Sequence, residues 1–121
     1  GSDVSIFATG IMTAKALDAA ETLAKRGIQA EVINVHTIKP LDEETVIASA
    51  KKTGKVVTAE EHSIIGGLGS AVAEVLARQC PTKQAFVGVQ DSFGESGSPD
   101  DLLEKYGLTA EAIVKAAVGL Q

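Results

Sequence analysis

The sequence predicts an α/β fold in which four strands form a mainly parallel sheet between two layers of helices. Short apolar runs of strand length alternate along the chain with longer segments whose apolar residues recur at helical spacing. Parallel strands need crossover connections of this kind, and such crossovers are right-handed. We therefore predict a three-layer α/β/α sandwich, with the sheet in the doubly wound order 2-1-3-4.

The first half of the chain contains two strands and two helices. Val4–Thr9 is typical of a buried strand, and the helix Ile11–Arg26 that follows has its apolar residues on one face. Ala30–Val35 is the second strand. Asp42 is a candidate N-cap for the second helix, which ends near Thr53, because acidic residues occupy its first turn.

The second half repeats the alternation and then changes character. Lys55–Ala59 is the third strand, Leu68–Arg78 the third helix and Ala85–Val89 the fourth strand. The polar, glycine-rich segment Asp91–Gly97 predicts a surface loop, followed by a short helix. Thr109 caps a last helix, so the predicted order is β-α-β-α-β-α-β-α-α.

Composition limits the kinds of partner. The length of 121 residues suits one domain over residues 3–121, and Gly1-Ser2 resembles a cloning remnant. The net charge of −5 argues against nucleic-acid binding, which needs clustered basic residues. No apolar run approaches the roughly 18 residues of a membrane-spanning helix. The lone Cys80 permits no internal disulfide and favours a reducing, cytoplasmic location.

The candidate site lies where the first and third strands end, because doubly wound sheets place ligand sites at that switch point. The first strand ends at Thr9 and the third runs into Glu60, with a glycine-rich turn before the next helix. The residues that we expect to contact a ligand or a neighbouring domain are Gly10, Glu61, His62, Gly66, Gly67 and Gly69.

Two kinds of ligand site could explain the glycine-rich turn, a dinucleotide site and a site for a small anion. A dinucleotide fingerprint is excluded because six residues, 60–65, separate the strand from the glycines, and the fingerprint needs a tight turn. A small phosphorylated or acidic ligand could bind the N–H groups at the helix start. Glu60 and Glu61 would repel such an anion, so the glycines are better explained by turning and close packing.

Independent catalysis is not expected from this chain. His62 beside two glutamates suggests a general base, but His36 is the only other histidine and Cys80 the only thiol. Gly94–Ser98 imitates a nucleophile elbow without its final glycine. We therefore predict no catalytic, cofactor-binding or metal-binding residue, and a structural or interface role for His62.

Four segments together resemble a known family. Val35–Asp42, Val57–His62, Gly66–Val72 and Phe93–Pro99 are similar, in order and spacing, to the C-terminal domain of transketolase. Tyr106–Thr109 is similar to the end of transketolase itself. The resemblance extends to 1-deoxyxylulose-5-phosphate synthase and the beta subunits of 2-oxo acid dehydrogenases, and to split transketolases whose C-terminal half is a separate chain.

The resemblance implies a parent enzyme that uses thiamine diphosphate and a divalent metal, magnesium or calcium. That enzyme transfers a two-carbon ketol unit between sugar phosphates, as in the pentose phosphate pathway, and is a homodimer. In the family the cofactor lies between two other domains, and the C-terminal domain supports the dimer. The chain would therefore be silent alone and would bind the other domains or subunit of its parent. Neither Glu60 nor Glu61 would be the glutamate that activates thiamine.

Overall fold

The computed structural model describes residues 2–36, 41–63, 67–89 and 109–121, without the side chains of residues 62, 63 and 89. The predicted loop Asp91–Gly97 and the short helix after it lie outside the described residues. The elements in chain order are β1 (Val4–Ala8), α1 (Met12–Lys25), β2 (Ala30–Asn34), α2 (Glu43–Thr53), β3 (Lys55–Ser63), α3 (Leu68–Gln79), β4 (Lys83–Val89) and α4 (Ala110–Gly119).

The four strands form one sheet in the order β2-β1-β3-β4, and all three pairings are parallel. Ile6 in the central strand pairs with Val32 on one side and Val57 on the other. Every residue of β1 is buried, as expected for a strand covered by helices on both faces. The predicted fold class and strand order are confirmed.

Two apolar cores lie on opposite faces of the sheet, because successive strand residues point to opposite sides. Ile6 belongs to the core under α1 and α4, whereas its neighbour Phe7 belongs to the core under α2 and α3. Among the described residues, no helix is both long enough and apolar enough to cross a membrane.

Short-range signals at the helix ends behave as the sequence predicts. The Asp42 side chain caps α2 by accepting a hydrogen bond from the backbone N–H of Thr45. Gly54 follows α2 in the left-handed conformation, with φ of 73°. The Thr109 hydroxyl caps α4 by accepting from the N–H of Ala112.

The third strand departs from the prediction. It was expected to end at Ala59 but continues to Ser63. Ala59 pairs with Val87 and Ser63 with Val89, so four steps along β3 match only two along β4. This irregularity is a bulge, and bulges redirect side chains at the edges of sheets. Glu60, Glu61 and His62 therefore belong to a bulged strand and not to a loop.

Candidate functional site

The candidate site forms at the carboxyl ends of β1 and β3, which are adjacent in the sheet. Ala8 pairs with Ala59, and the N–H of Thr9 donates to the carbonyl of Ala59 at 3.2 Å. The chain leaves β1 toward β2 on one side, while β3 lies on the other side. The structure thus brings Gly10 and Glu61 together at a switch point of the sheet, as predicted.

Glu60 is the most deeply buried acidic side chain of this edge, with 1% exposure. Its Oε1 accepts a hydrogen bond from the N–H of Leu68 at 2.8 Å, and its Oε2 accepts from the N–H of Gly69 at 2.7 Å. These N–H groups open α3 and have no acceptor within the helix. Glu60 therefore caps α3 from the neighbouring strand with both carboxylate oxygens.

Glu61 reaches the opposite side of the sheet. A Cβ at Gly10 would collide with Glu61 Oε1, so the half-buried carboxylate lies directly against the turn that begins α1. Gly10 itself has a φ of 55°, a left-handed conformation that disfavours other residues. Two consecutive glutamates thus contact the starts of two helices on opposite faces.

Gly69 allows α3 to lie close to the sheet. A Cβ there would lie 2.5 and 2.8 Å from ring atoms of Phe86, and 3.1 Å from Thr58 Oγ1. The Gln84 side chain adds a polar link by donating to the Gly69 carbonyl at 3.0 Å. Close packing is therefore a sufficient reason for glycine at this position.

The remaining predicted site residues are less informative. Gly67 is the N-cap of α3, with an extended backbone and no side chain to act as a cap. His62 lies in β3, its side chain is not described, and Gly66 lies outside the described residues. Across the described ranges, no group of three or more His, Cys, Asp or Glu side chains could hold a metal ion.

Sequence reasoning missed the role of Glu60. It treated this residue as a charge that would repel an anion, whereas the carboxylate bonds to the N–H groups that an anion would need. The donors are eight and nine residues away along the chain, so no local capping pattern could reveal them. This geometry weakens the interpretation of the turn as a phosphate site.

Comparison with known proteins identifies the family. Residues 1–113 match the family model "Transketolase, C-terminal domain". The chain belongs to this family. It is 64% identical over 117 residues to a 6-deoxy-6-sulfo-D-fructose transketolase subunit from Clostridium sp. (strain MSTE9), covering 97% of this chain and 36% of that protein.

The chain is also similar to a solved structure and to an enzyme of a second activity. A solved structure described as "Split gene transketolase, inactive beta4 tetramer" superposes with a TM-score of 0.94 at 57% identity, covering 99% of this chain and 39% of that one. The chain is also 44% identical over 119 residues to a 1-deoxy-D-xylulose-5-phosphate synthase from Desulforudis audaxviator (strain MP104C), covering 97% of this chain and 19% of that protein. The chain therefore spans little more than a third of these relatives at most.

Proposed function

We propose that this transketolase C-terminal domain works within a larger enzyme that transfers a two-carbon ketol unit between sugar phosphates. The family match over residues 1–113 carries the proposal. The family depends on thiamine diphosphate, which, with a divalent metal, magnesium or calcium, would be bound by other domains of the parent. The domain itself contributes assembly and no chemistry.

The geometry of the candidate site supports a structural role. Glu60 is fully used in capping α3, and Glu61 lies against Gly10. Among the described residues, neither carboxylate belongs to a group of three or more acidic, histidine or cysteine side chains that could hold a metal ion. The described contacts of this edge therefore support packing and contact between domains more than catalysis.

We propose that Gly10 and Glu61, with the other predicted contact residues His62, Gly66, Gly67 and Gly69, contact another domain or subunit of the parent enzyme. The relative described as a beta4 tetramer and the relative named as a transketolase subunit support a multi-chain parent. The parent is proposed to be a cytoplasmic homodimer of complete transketolase units.

The sugar substrate is a separate question, because it belongs to the whole enzyme and this chain covers only 36% and 39% of two of its relatives. Sugar phosphates are the first candidate. The subunit that is 64% identical is named for 6-deoxy-6-sulfo-D-fructose, which makes a sulfonated ketose a second candidate donor. Assays of the assembled enzyme with each ketose donor would distinguish them, and formation of 1-deoxyxylulose-5-phosphate would indicate the synthase instead.

The first experiment tests whether the isolated chain lacks catalytic activity and cofactor binding. The purified chain should show no ketol transfer and no binding of thiamine diphosphate with magnesium by titration calorimetry. An intact transketolase that contains the thiamine-binding domains serves as the positive control. Micromolar binding of thiamine diphosphate by the isolated chain would contradict the proposal.

The second experiment tests the contact surface. The chain should co-purify with the thiamine-binding domains of its parent, and the double variant Glu61→Ala/His62→Ala should weaken that association at least about tenfold. Glu74→Ala, on the exposed face of α3, is the matched control and should leave it unchanged. Equal association of both variants would reject the assignment of this surface while leaving the family function intact.

A further inference from the structure

A cavity of about 350 Å³ lies between the carboxyl end of β2 and the first turn of α2. It opens on the sheet face that α2 and α3 cover. Its volume is within the usual range of small-ligand sites, roughly 300–1,000 Å³. Neither Glu60 nor Glu61 lines it, so the contacts at the ends of β1 and β3 do not account for it.

Most of the cavity wall is apolar. Phe7 in β1 and Val46 in α2 form its base and are buried, with 0% and 2% exposure. Ile33, Val35 and Leu41 are half-buried and pack against the same core. A ligand with an apolar body would therefore be stabilised here, because its carbon surface and that of the wall would both be removed from water.

Four polar side chains complete the described lining. Asn34 is held by a hydrogen bond that the Thr13 hydroxyl donates to its Oδ1 at 3.1 Å, and His36 adds an exposed imidazole. The Thr45 hydroxyl donates to Asp42 Oδ2 at 2.8 Å. Asp42 is the only carboxylate among the described lining residues, and none of them is lysine or arginine. The cavity thus combines an apolar base with one negative charge.

We propose that this cavity binds a small organic cation, an amine attached to a compact apolar body. The body would lie against Phe7 and its apolar neighbours, and the ammonium group would lie near Asp42. Glu43 and Glu44 in the same helical turn add negative charge, which favours a cation and disfavours phosphorylated ligands. Residues 37–40 lie outside the described residues, and the site is built without them. It goes beyond the assembly role of the domain and does not rest on it.

The test uses three probes with the same ring and different charge, namely benzylammonium, benzyl alcohol and benzoate. Each is titrated into the chain at neutral pH and constant ionic strength while the amide NMR signals are followed. Benzylammonium should shift the signals of Asn34, Val35, Thr45 and Val46 saturably, and benzoate should bind at least about fivefold more weakly. Equal affinities of the two ions, or shifts that are not confined to the cavity, would overturn the proposal.

Two variants separate the charge from the apolar base. Asp42→Asn keeps the oxygen that caps α2 and removes the charge, so it should weaken benzylammonium about two- to fivefold and leave benzyl alcohol unchanged. Val35→Phe should fill the cavity and abolish binding of both. Glu74→Ala, on the exposed face of α3, is the control and should change neither. If Val35→Phe does not fold, an equal loss of both probes in Asp42→Asn would still contradict the proposal.

A last titration uses the assembled parent enzyme and ligand-detected NMR. Benzylammonium should still bind, and Asp42→Asn should weaken it by the same factor as in the isolated chain. Loss of binding on assembly would show that a neighbouring domain covers the cavity, and would overturn its assignment to a free ligand. Failure of benzylammonium to bind the isolated chain would reject this site while leaving the proposed assembly function intact.

Discussion

At the scale of single residues, polar side chains with little exposure join strands to helices. Ser5 in β1 is fully buried, and its hydroxyl lies 2.6 Å from Ser49 Oγ and 2.8 Å from Thr53 Oγ1, both in α2. Ser49 also donates to Glu31 at 3.3 Å, and Lys52 forms an ion pair with that carboxylate at 2.7 Å. This network satisfies polar groups that would otherwise destabilise a buried interface.

Asp42 provides a prediction about pH. Its side chain accepts hydrogen bonds from the hydroxyl and the backbone N–H of Thr45, which together lower the pKa of Asp42 below its ordinary value of 3.8. Stability from a lowered pKa is present above the ordinary value and is lost as the pH falls through the folded value. Asp42→Asn keeps the capping oxygen but cannot titrate, so its stability should fall less than that of the native chain below about pH 4.

Urea midpoints measured from neutral to acidic pH check this expectation. Thr45→Ala is the informative companion, because it removes the hydroxyl donor and leaves the backbone N–H of residue 45 in place. Its pH dependence should lie between those of the native chain and Asp42→Asn. Superimposable profiles for the native chain and Asp42→Asn would show that the cap is not coupled to protonation.

The contrast between Asp42 and Glu60 shows what could be predicted at this scale. Asp42 and Thr109 cap residues three positions further along the chain, so the pattern is local and readable from sequence. Glu60 reaches N–H groups eight and nine residues away from a bulged strand. That contact exists only once β3 and α3 are packed together.

At the scale of elements, the contact of α3 with β4 depends on one glycine. Replacing a helical glycine by alanine ordinarily stabilises a helix by about 0.5–1 kcal/mol. At Gly69 the added methyl would overlap the Phe86 ring, at 2.5 Å, and crowd Thr58. We expect Gly69→Ala to destabilise the chain by about 1–3 kcal/mol, the usual cost of overpacking.

The measurement is the free energy of unfolding in urea. Two further variants separate the effect of steric overlap with Phe86 from the effect of helix propensity. Gly119→Ala, at the end of α4, has nothing within 4 Å of the added Cβ and should be neutral or slightly stabilising. Phe86→Ala in the Gly69→Ala background should recover part of the loss, because it removes the overlapping ring. Equal effects at Gly69 and Gly119 would rule out this account of α3 packing.

At the scale of the whole molecule, the order β2-β1-β3-β4 could be predicted because alternation of strands and helices leaves few parallel topologies. The family resemblance added the biological context, which composition and spacing did not contain. The extension of β3 to Ser63 could not be predicted. Its Glu-Glu-His run has little strand propensity and is held by contacts to α3 and to the turn before α1.

The two cores on opposite faces lead to a prediction about cooperativity. Leu76 belongs to the core under α2 and α3, and Ile113 to the core under α1 and α4. Leu76→Ala should cost about 2–5 kcal/mol and Ile113→Val about 0.5–1.5 kcal/mol. Because the sheet separates the two sites and the buried residues of the two cores are different, the double variant should equal the sum within about 0.5 kcal/mol. Each protein should unfold in one transition by circular dichroism and by amide NMR signals from both helical layers, since both cores are built on the same strands. The pair Gly69→Ala and Phe86→Ala, in which the added methyl would overlap the ring, is the internal contrast and should be clearly non-additive. Separate transitions for the two probes, or a departure from additivity as large as in that pair, would show that the sheet does not unfold as one unit with both helical layers.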